Sequence, residues 1–317
     1  MTASLALALA LAASPSLRVA PAAARPGDAV LVAVDDPAGD LGRAPHGTLA
    51  GRRLTFWKDP SGGWRSLVAL PLETAPGTVP VEVAVGGTTA RADLAVVDPR
   101  FPSRSITLPE KFVEPPARVQ GRIKADRAAF SHAYDRPFVP PLFDRVGWPR
   151  DAHVTGRFGD QRILNGRKPS VHYGLDLDGE AGAPVLAAGD GEVVMARDCY
   201  MSGKSVVLWH GAGVFTAYFH LSRIDVGSGW TVKRGDSIGL LGSTGRATGP
   251  HLHWSARVDG LLVDPESLLL IDFPTVSAPP RGPREQAPPA ASAPEGVELL
   301  PPPPAPEPGT VSDPAPP

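Results

Sequence analysis

The chain has 317 residues, 20% of them charged, and a formal net charge of -2, so it presents no broad cationic field to nucleic-acid phosphates or to an anionic membrane. Its single cysteine, Cys199, excludes an intramolecular disulfide and a thiolate cluster, so any metal must be held by His, Asp or Glu. At roughly 150 residues per domain this length implies two domains plus extensions.

Residues 1–15 contain an apolar run from Leu5 to Ala13 followed by small residues, the pattern of a secretory signal segment and too short to span a bilayer. Residues 17–98 alternate short β-rich runs (AVLVAV, WRSLVALPL, VPVEVAVGG, ADLAVVD) with turn signals such as Pro26-Gly27-Asp28. That spacing predicts a small β-sandwich, with Trp57 and Trp64 as packing residues. Residues 99–150 are proline-rich with one helical stretch around Ala117 to Asp135, and read as a connector. From 151 to 273 aliphatic strands and glycines return, predicting a second, mostly β domain. Residues 274–317 include 16 prolines, with Pro301 to Pro304 in a row. Such a segment cannot offset its ordering entropy by burial and is expected to be disordered.

Six of the eight histidines fall in the second domain, three of them in two tight patterns. His172-Tyr173-Gly174-Leu175-Asp176 spaces a histidine and a carboxylate four apart, so that they converge if the segment is extended or lightly turned. His251-Leu252-His253 presents two imidazoles to one side of a strand, because positions i and i+2 share a face. Three nitrogen or oxygen ligands with an open position describe a catalytic zinc, which acidifies its water. No His-Glu-x-x-His is present, so the proton acceptor must come from elsewhere, and histidine is the natural candidate.

From VTGRFGDQRILNG through VHYGLDL, GAPVLAAGDGEVV, VVLWHGAGVFTAYFHLS and VKRGDSIGLLGSTGRATGPHLHW to Val263-Asp264-Pro265, the second domain resembles the M23 peptidases, the lysostaphin-like or LytM zinc endopeptidases. The resemblance implies one Zn2+ held by His172, Asp176 and His253, with His220 and His251 as catalytic imidazoles around the water and the substrate carbonyl. In Tyr218-Phe219-His220-Leu221-Ser222, phenylalanine stands where the family usually has alanine, and strand alternation predicts that Phe219 points away from the site. His210 reads as structural, and His46, His132 and His153 as surface or packing residues. Gly242-Ser243-Thr244-Gly245 reads as a tight turn beside the site, and Asn165 as a groove-lining or turn residue. The first domain resembles the Ig-like domain that precedes the peptidase in some exported M23 proteins.

The expected whole is mostly β: an Ig-like β-sandwich, an antiparallel β peptidase domain and a disordered Pro-rich tail. The resemblance implies an exported zinc endopeptidase of the periplasm or cell envelope that cuts peptidoglycan stem-peptide cross-links and binds no nucleic acid. A divisome or envelope protein, met through the first domain or the tail, is the candidate protein partner. The alternatives are a non-catalytic LytM-type regulator that activates a wall amidase, and a zinc peptidase acting on protein substrates.

Overall fold

The computed structural model describes residues 15–36, 41–60, 62–85 and 87–273. The expected signal segment, save Pro15, and the expected Pro-rich tail lie outside the described residues.

Two sheets make the first unit. One orders the strands Ser16–Ala20, Ala29–Asp35, Trp64–Ala69 and Trp57–Lys58; the other orders Ala23–Ala24, Thr88–Val96, Gly77–Val85, His46–Leu49 and Arg52–Arg53. Between them lies an aliphatic core of Val30, Val32, Val34 and Val68 against Leu49, Val81, Val83 and Leu94. The Gly77–Val85 strand alternates in the manner of a sheet with one face in water: Val81 and Val83 are buried while Glu82 is exposed. Ala29–Asp35 is apolar almost throughout because it and its neighbour Trp64–Ala69, the two central strands of their sheet, are covered on both faces. Ala29, Leu67, Ala69 and Trp57 turn away from the sandwich core and join the core of the second unit. The Trp57 indole is thus an interface residue and not a ligand platform.

Polar contacts close that interface. The Ala29 N–H donates to Ser267 Oγ at 2.9 Å, and the Asp264 N–H donates to the Gly27 carbonyl at 2.8 Å. Arg25 pairs with Asp264 at 2.8 Å. Gly27 has φ +92°, and a Cβ there would lie 2.3 Å from the Phe158 ring, so only glycine lets the two units approach this closely.

The second unit is built on a long antiparallel sheet. Its order is Val154–Gly156, Leu175–Leu177, Leu252–Val258, Val214–Leu221, Gly203–Trp209, Gly191–Cys199 and Thr231–Val232. Alternation sorts its side chains between two layers. Leu175, Leu177, Val206, Leu208, Tyr218 and Trp254 enter the core shared with the sandwich. Val207, Trp209, Phe215 and Ala217 face the other way, under the helix Ala117–Tyr134, which contributes Phe130 and Ala133. That helix is held at its middle by Asp126, fully buried, which accepts from Arg197 Nε and the Tyr200 N–H, each at 2.8 Å. A smaller sheet orders Ser103–Ile106, Gln161–Leu164 and Lys168–Val171, so part of the 99–150 segment is woven into the second unit through a parallel pairing.

Candidate active site

Three adjacent strands carry one row of side chains. Asp176 stands opposite His253, and His253 opposite Phe219, while their chain neighbours Leu175, Leu177, Leu252, Trp254 and Tyr218 point into the core on the far face. Phe219 therefore does not point away from the site: its ring stacks on the His253 imidazole at 5.4 Å with an interplanar angle of 6°. The expectation failed because the row is set by the register with the Leu252–Val258 strand, which places Phe219 on the His253 side.

Simple alternation would then send His220 into the core. It does not, for two local reasons. Lys204 pairs with Leu221 and Val206 with Tyr218, so the Val214–Leu221 strand carries one extra residue, a bulge. His220 itself sits at φ +63°, a left-handed conformation uncommon for residues other than glycine, and it turns the imidazole into the cleft. Its ring lies 4.8 Å from that of His251.

His172 follows the Lys168–Val171 strand, where its N–H donates to the Asp160 carbonyl at 3.0 Å. Gly174 explains the motif between His172 and Asp176: a Cβ at this position would lie 2.6 Å from His253 Nε2 and from the Trp254 carbonyl. His251 is held by its N–H donating to the Gly242 carbonyl at 3.1 Å.

Hydrogen bonds orient every ring. His172 Nδ1 donates to the Arg157 carbonyl at 2.8 Å, which leaves Nε2 with a lone pair. His220 Nδ1 donates to the Thr244 carbonyl at 2.8 Å, and His251 Nδ1 to the Gly249 carbonyl at 2.9 Å, so both turn Nε2 to the opening. Burial, reinforced by the nearby His251 and His253, lowers His220 to about 3 and keeps it neutral near pH 7. Burial likewise lowers His253 to about 4, against the opposing hydrogen bond of Asp176. Burial alone would raise the Asp176 carboxyl, but its contacts with His172 and His253 outweigh this and hold it well below the usual carboxylate range.

His172 Nε2, Asp176 Oδ1 and His253 Nδ1 lie 2.9 to 3.0 Å from one another, and they are the grouping of this kind found among the described residues. With the His172 proton committed to Arg157, three close contacts share at most one proton, that of His253. Two would otherwise set lone pair against lone pair. A cation at their centre removes that conflict, and a mixed nitrogen and oxygen donor set suits zinc.

The structure thus brings His172, Asp176, His220, His251 and His253 into one cleft. It does not bring Asn165 there. Asn165 sits at φ +50° in the turn between two strands, and its amide accepts from the Leu108 N–H at 2.8 Å and donates to the Leu108 carbonyl at 3.0 Å. His210 is fully buried and bonds the Asp190 carbonyl and Thr216 Oγ1, each at 2.7 Å. His46 and His153 are exposed, and His132 is exposed at the rim of the cleft. Cys199 is buried beneath the helix.

Arg162, outside the histidine motifs, also belongs to the site: its Nη2 donates to Asp176 Oδ2 at 2.7 Å. The signal available for it was its place in the FGDQRILNG segment, beside a carboxylate that needs its second oxygen held.

The model of peptidase family M23 matches residues 170–265. The peptidoglycan DD-endopeptidase ShyA of Vibrio cholerae is 42% identical over 115 residues, 36% of this chain and 26% of that protein. ShyB of the same organism is 44% identical over 152 residues, 46% of this chain and 35% of that protein. The chain thus spans about a quarter to a third of the length of these curated relatives. A crystal structure of a Pseudomonas aeruginosa protein assigned to peptidase M23 is 30% identical, covers 77% of this chain and 94% of its own, and superposes with a TM-score of 0.56. That match extends well beyond the metal-binding motifs, and with it the chain belongs to peptidase family M23, a family of zinc metallopeptidases.

Proposed function

We propose that this chain is an exported zinc endopeptidase of the bacterial envelope that hydrolyses peptide cross-links of peptidoglycan. The observation that carries the reading is one cleft holding a His172–Asp176–His253 donor triad with two further imidazoles facing it, His220 and His251. The relatives named DD-endopeptidases supply the substrate class. A regulator that had given up catalysis would have no need of His220 held in a left-handed conformation at the cleft.

His172 Nε2, Asp176 Oδ1 and His253 Nδ1 would hold one zinc ion, which when bound would supply Lewis acidity for a water and for the peptide carbonyl. His220 and His251 manage the protons. Each has Nδ1 tied to a backbone carbonyl, so each offers Nε2 to the reacting groups. One accepts the proton of the attacking water at its free Nε2 and, now carrying that proton, hydrogen-bonds the developing oxyanion and returns the proton to the leaving amine, while the other, still neutral, accepts a hydrogen bond from the water. Their rings lie 4.8 Å apart, close enough for both to reach one reacting group.

Muropeptide analysis of purified sacculi tests this. The chain without residues 1–15 releases new peptide termini from cross-linked dimers, and both a chelator and His251→Ala abolish the release. A folded, zinc-loaded chain that leaves dimers intact refutes the reading.

A further inference from the structure

Arginines border the same cleft, and one of them is unspent. Arg162 is committed to Asp176 Oδ2, Arg104 to Asp160 and to the Thr155 carbonyl, and Arg257 lies over the Tyr134 ring at 4.6 Å. Arg246 lines the cleft with His220 and His251, and among the described residues its guanidinium has neither a carboxylate partner nor a hydrogen-bond acceptor. The carboxylate of the site, Asp176, is already shared by Arg162, His172 and His253.

The backbone holds Arg246 in place. Its N–H donates to the Met201 carbonyl at 2.6 Å. The preceding Gly245 has φ +73°, and a Cβ there would lie 2.3 Å from the Gly203 N, so the two turns touch backbone to backbone. Arg246 is half-buried, and both burial and the like charge of Arg162 work against its cation. A charge kept in such a position without a partner is destabilised until an anion meets it.

We propose that Arg246 is a carboxylate-binding group of the substrate cleft, receiving a free carboxylate that the peptide carries beside the scissile amide. The proposal rests on the endopeptidase reading and narrows its substrate. An amide made by the side-chain amine of diaminopimelate keeps a carboxylate on the carbon bonded to the amide nitrogen. A glycine–glycine amide has none there. A guanidinium fork pairs with a carboxylate through two parallel hydrogen bonds and loses that match when the group is a carboxamide. Arg246 therefore selects the former kind of cross-link.

The test compares a stem peptide carrying diaminopimelate with its twin bearing a carboxamide in place of the side-chain carboxylate. Calorimetry measures both on the zinc-loaded chain, on Arg246→Gln and on Arg246→Lys, and hydrolysis of the matching cross-linked dimers is followed alongside. The unaltered chain binds the carboxylate peptide roughly tenfold or more tightly. Arg246→Gln erases that preference and leaves carboxamide binding unchanged; Arg246→Lys retains part of it. Equal binding of both peptides by the unaltered chain overturns the proposal, as does equal loss of both in an Arg246→Gln variant of unchanged melting temperature. If Arg246→Gln melts early, Arg246→Lys decides: full preference with lysine refutes the forked contact. Binding is read without turnover, so a chain that discriminates yet cleaves neither dimer refutes the endopeptidase reading and keeps the carboxylate site. A chain that cleaves both dimers equally and binds them equally refutes only the site.

Discussion

A carboxylate that offers one oxygen to a metal is best held by the other, and Arg162 does this for Asp176. Arg162→Met keeps most of the side-chain bulk and releases Oδ2. The expected result is roughly 10- to 100-fold weaker zinc affinity, measured by chelator competition, with little change in fold. His172, Asp176, His251 and His253 stood out in the sequence because spacings of two and four bring side chains to one side of an extended segment. Phe219 and Arg162 did not. Phe219 stacks on His253 through a cross-strand register, and Arg162 reaches Asp176 from a separate hairpin, so neither contact follows from local spacing. His220 was legible by motif alone, since alternation predicts the wrong face and only the bulge and its φ of +63° reverse it.

At the scale of elements, the bend between the Gly203–Trp209 and Val214–Leu221 strands is fixed by His210. It is fully buried, and burial lowers it to about 4 from 6.5. The unfolded chain binds that proton near pH 6.5 and the folded one only near pH 4. This contribution to stability is therefore complete above pH 6.5 and is lost as the pH falls towards 4. The shift corresponds to about 3 kcal/mol. Urea midpoints of the unaltered chain and His210→Gln, compared from pH 7.5 to 4.5, show the variant less stable at the top of the range. The two converge as the pH falls. The helix Ala117–Tyr134 was legible from its run of helix-forming residues between prolines, but its role was not. Only the structure shows that Phe130 and Ala133 roof one layer of the sheet and that Asp126 ties the helix to Arg197 and Tyr200.

Across the whole molecule, one hydrophobic cluster runs through both units, joining Ala29, Trp57, Leu67 and Ala69 of the sandwich to the peptidase sheet. The described residues are thus expected to unfold together. Calorimetry of the zinc-loaded chain should give one transition. Leu67→Ala, which removes about 2 to 5 kcal/mol of buried contact, lowers that transition, or exposes a second by freeing the sandwich. A wild-type trace with two independent transitions would contradict the shared core. By itself the sequence determined the β character of both units, and it carries the stretches by which the second resembles its family and the candidate histidines and aspartate that the resemblance implies. The β character is written in alternation and turn residues, which act over a few residues. Tertiary structure decided that the two central strands of the sandwich's first sheet are buried on both faces, that Phe219 and His220 share one cleft, and that Arg246 faces it without a partner. Each of these depends on strands far apart in the chain meeting in one register, and a contact of that kind leaves no local pattern to read.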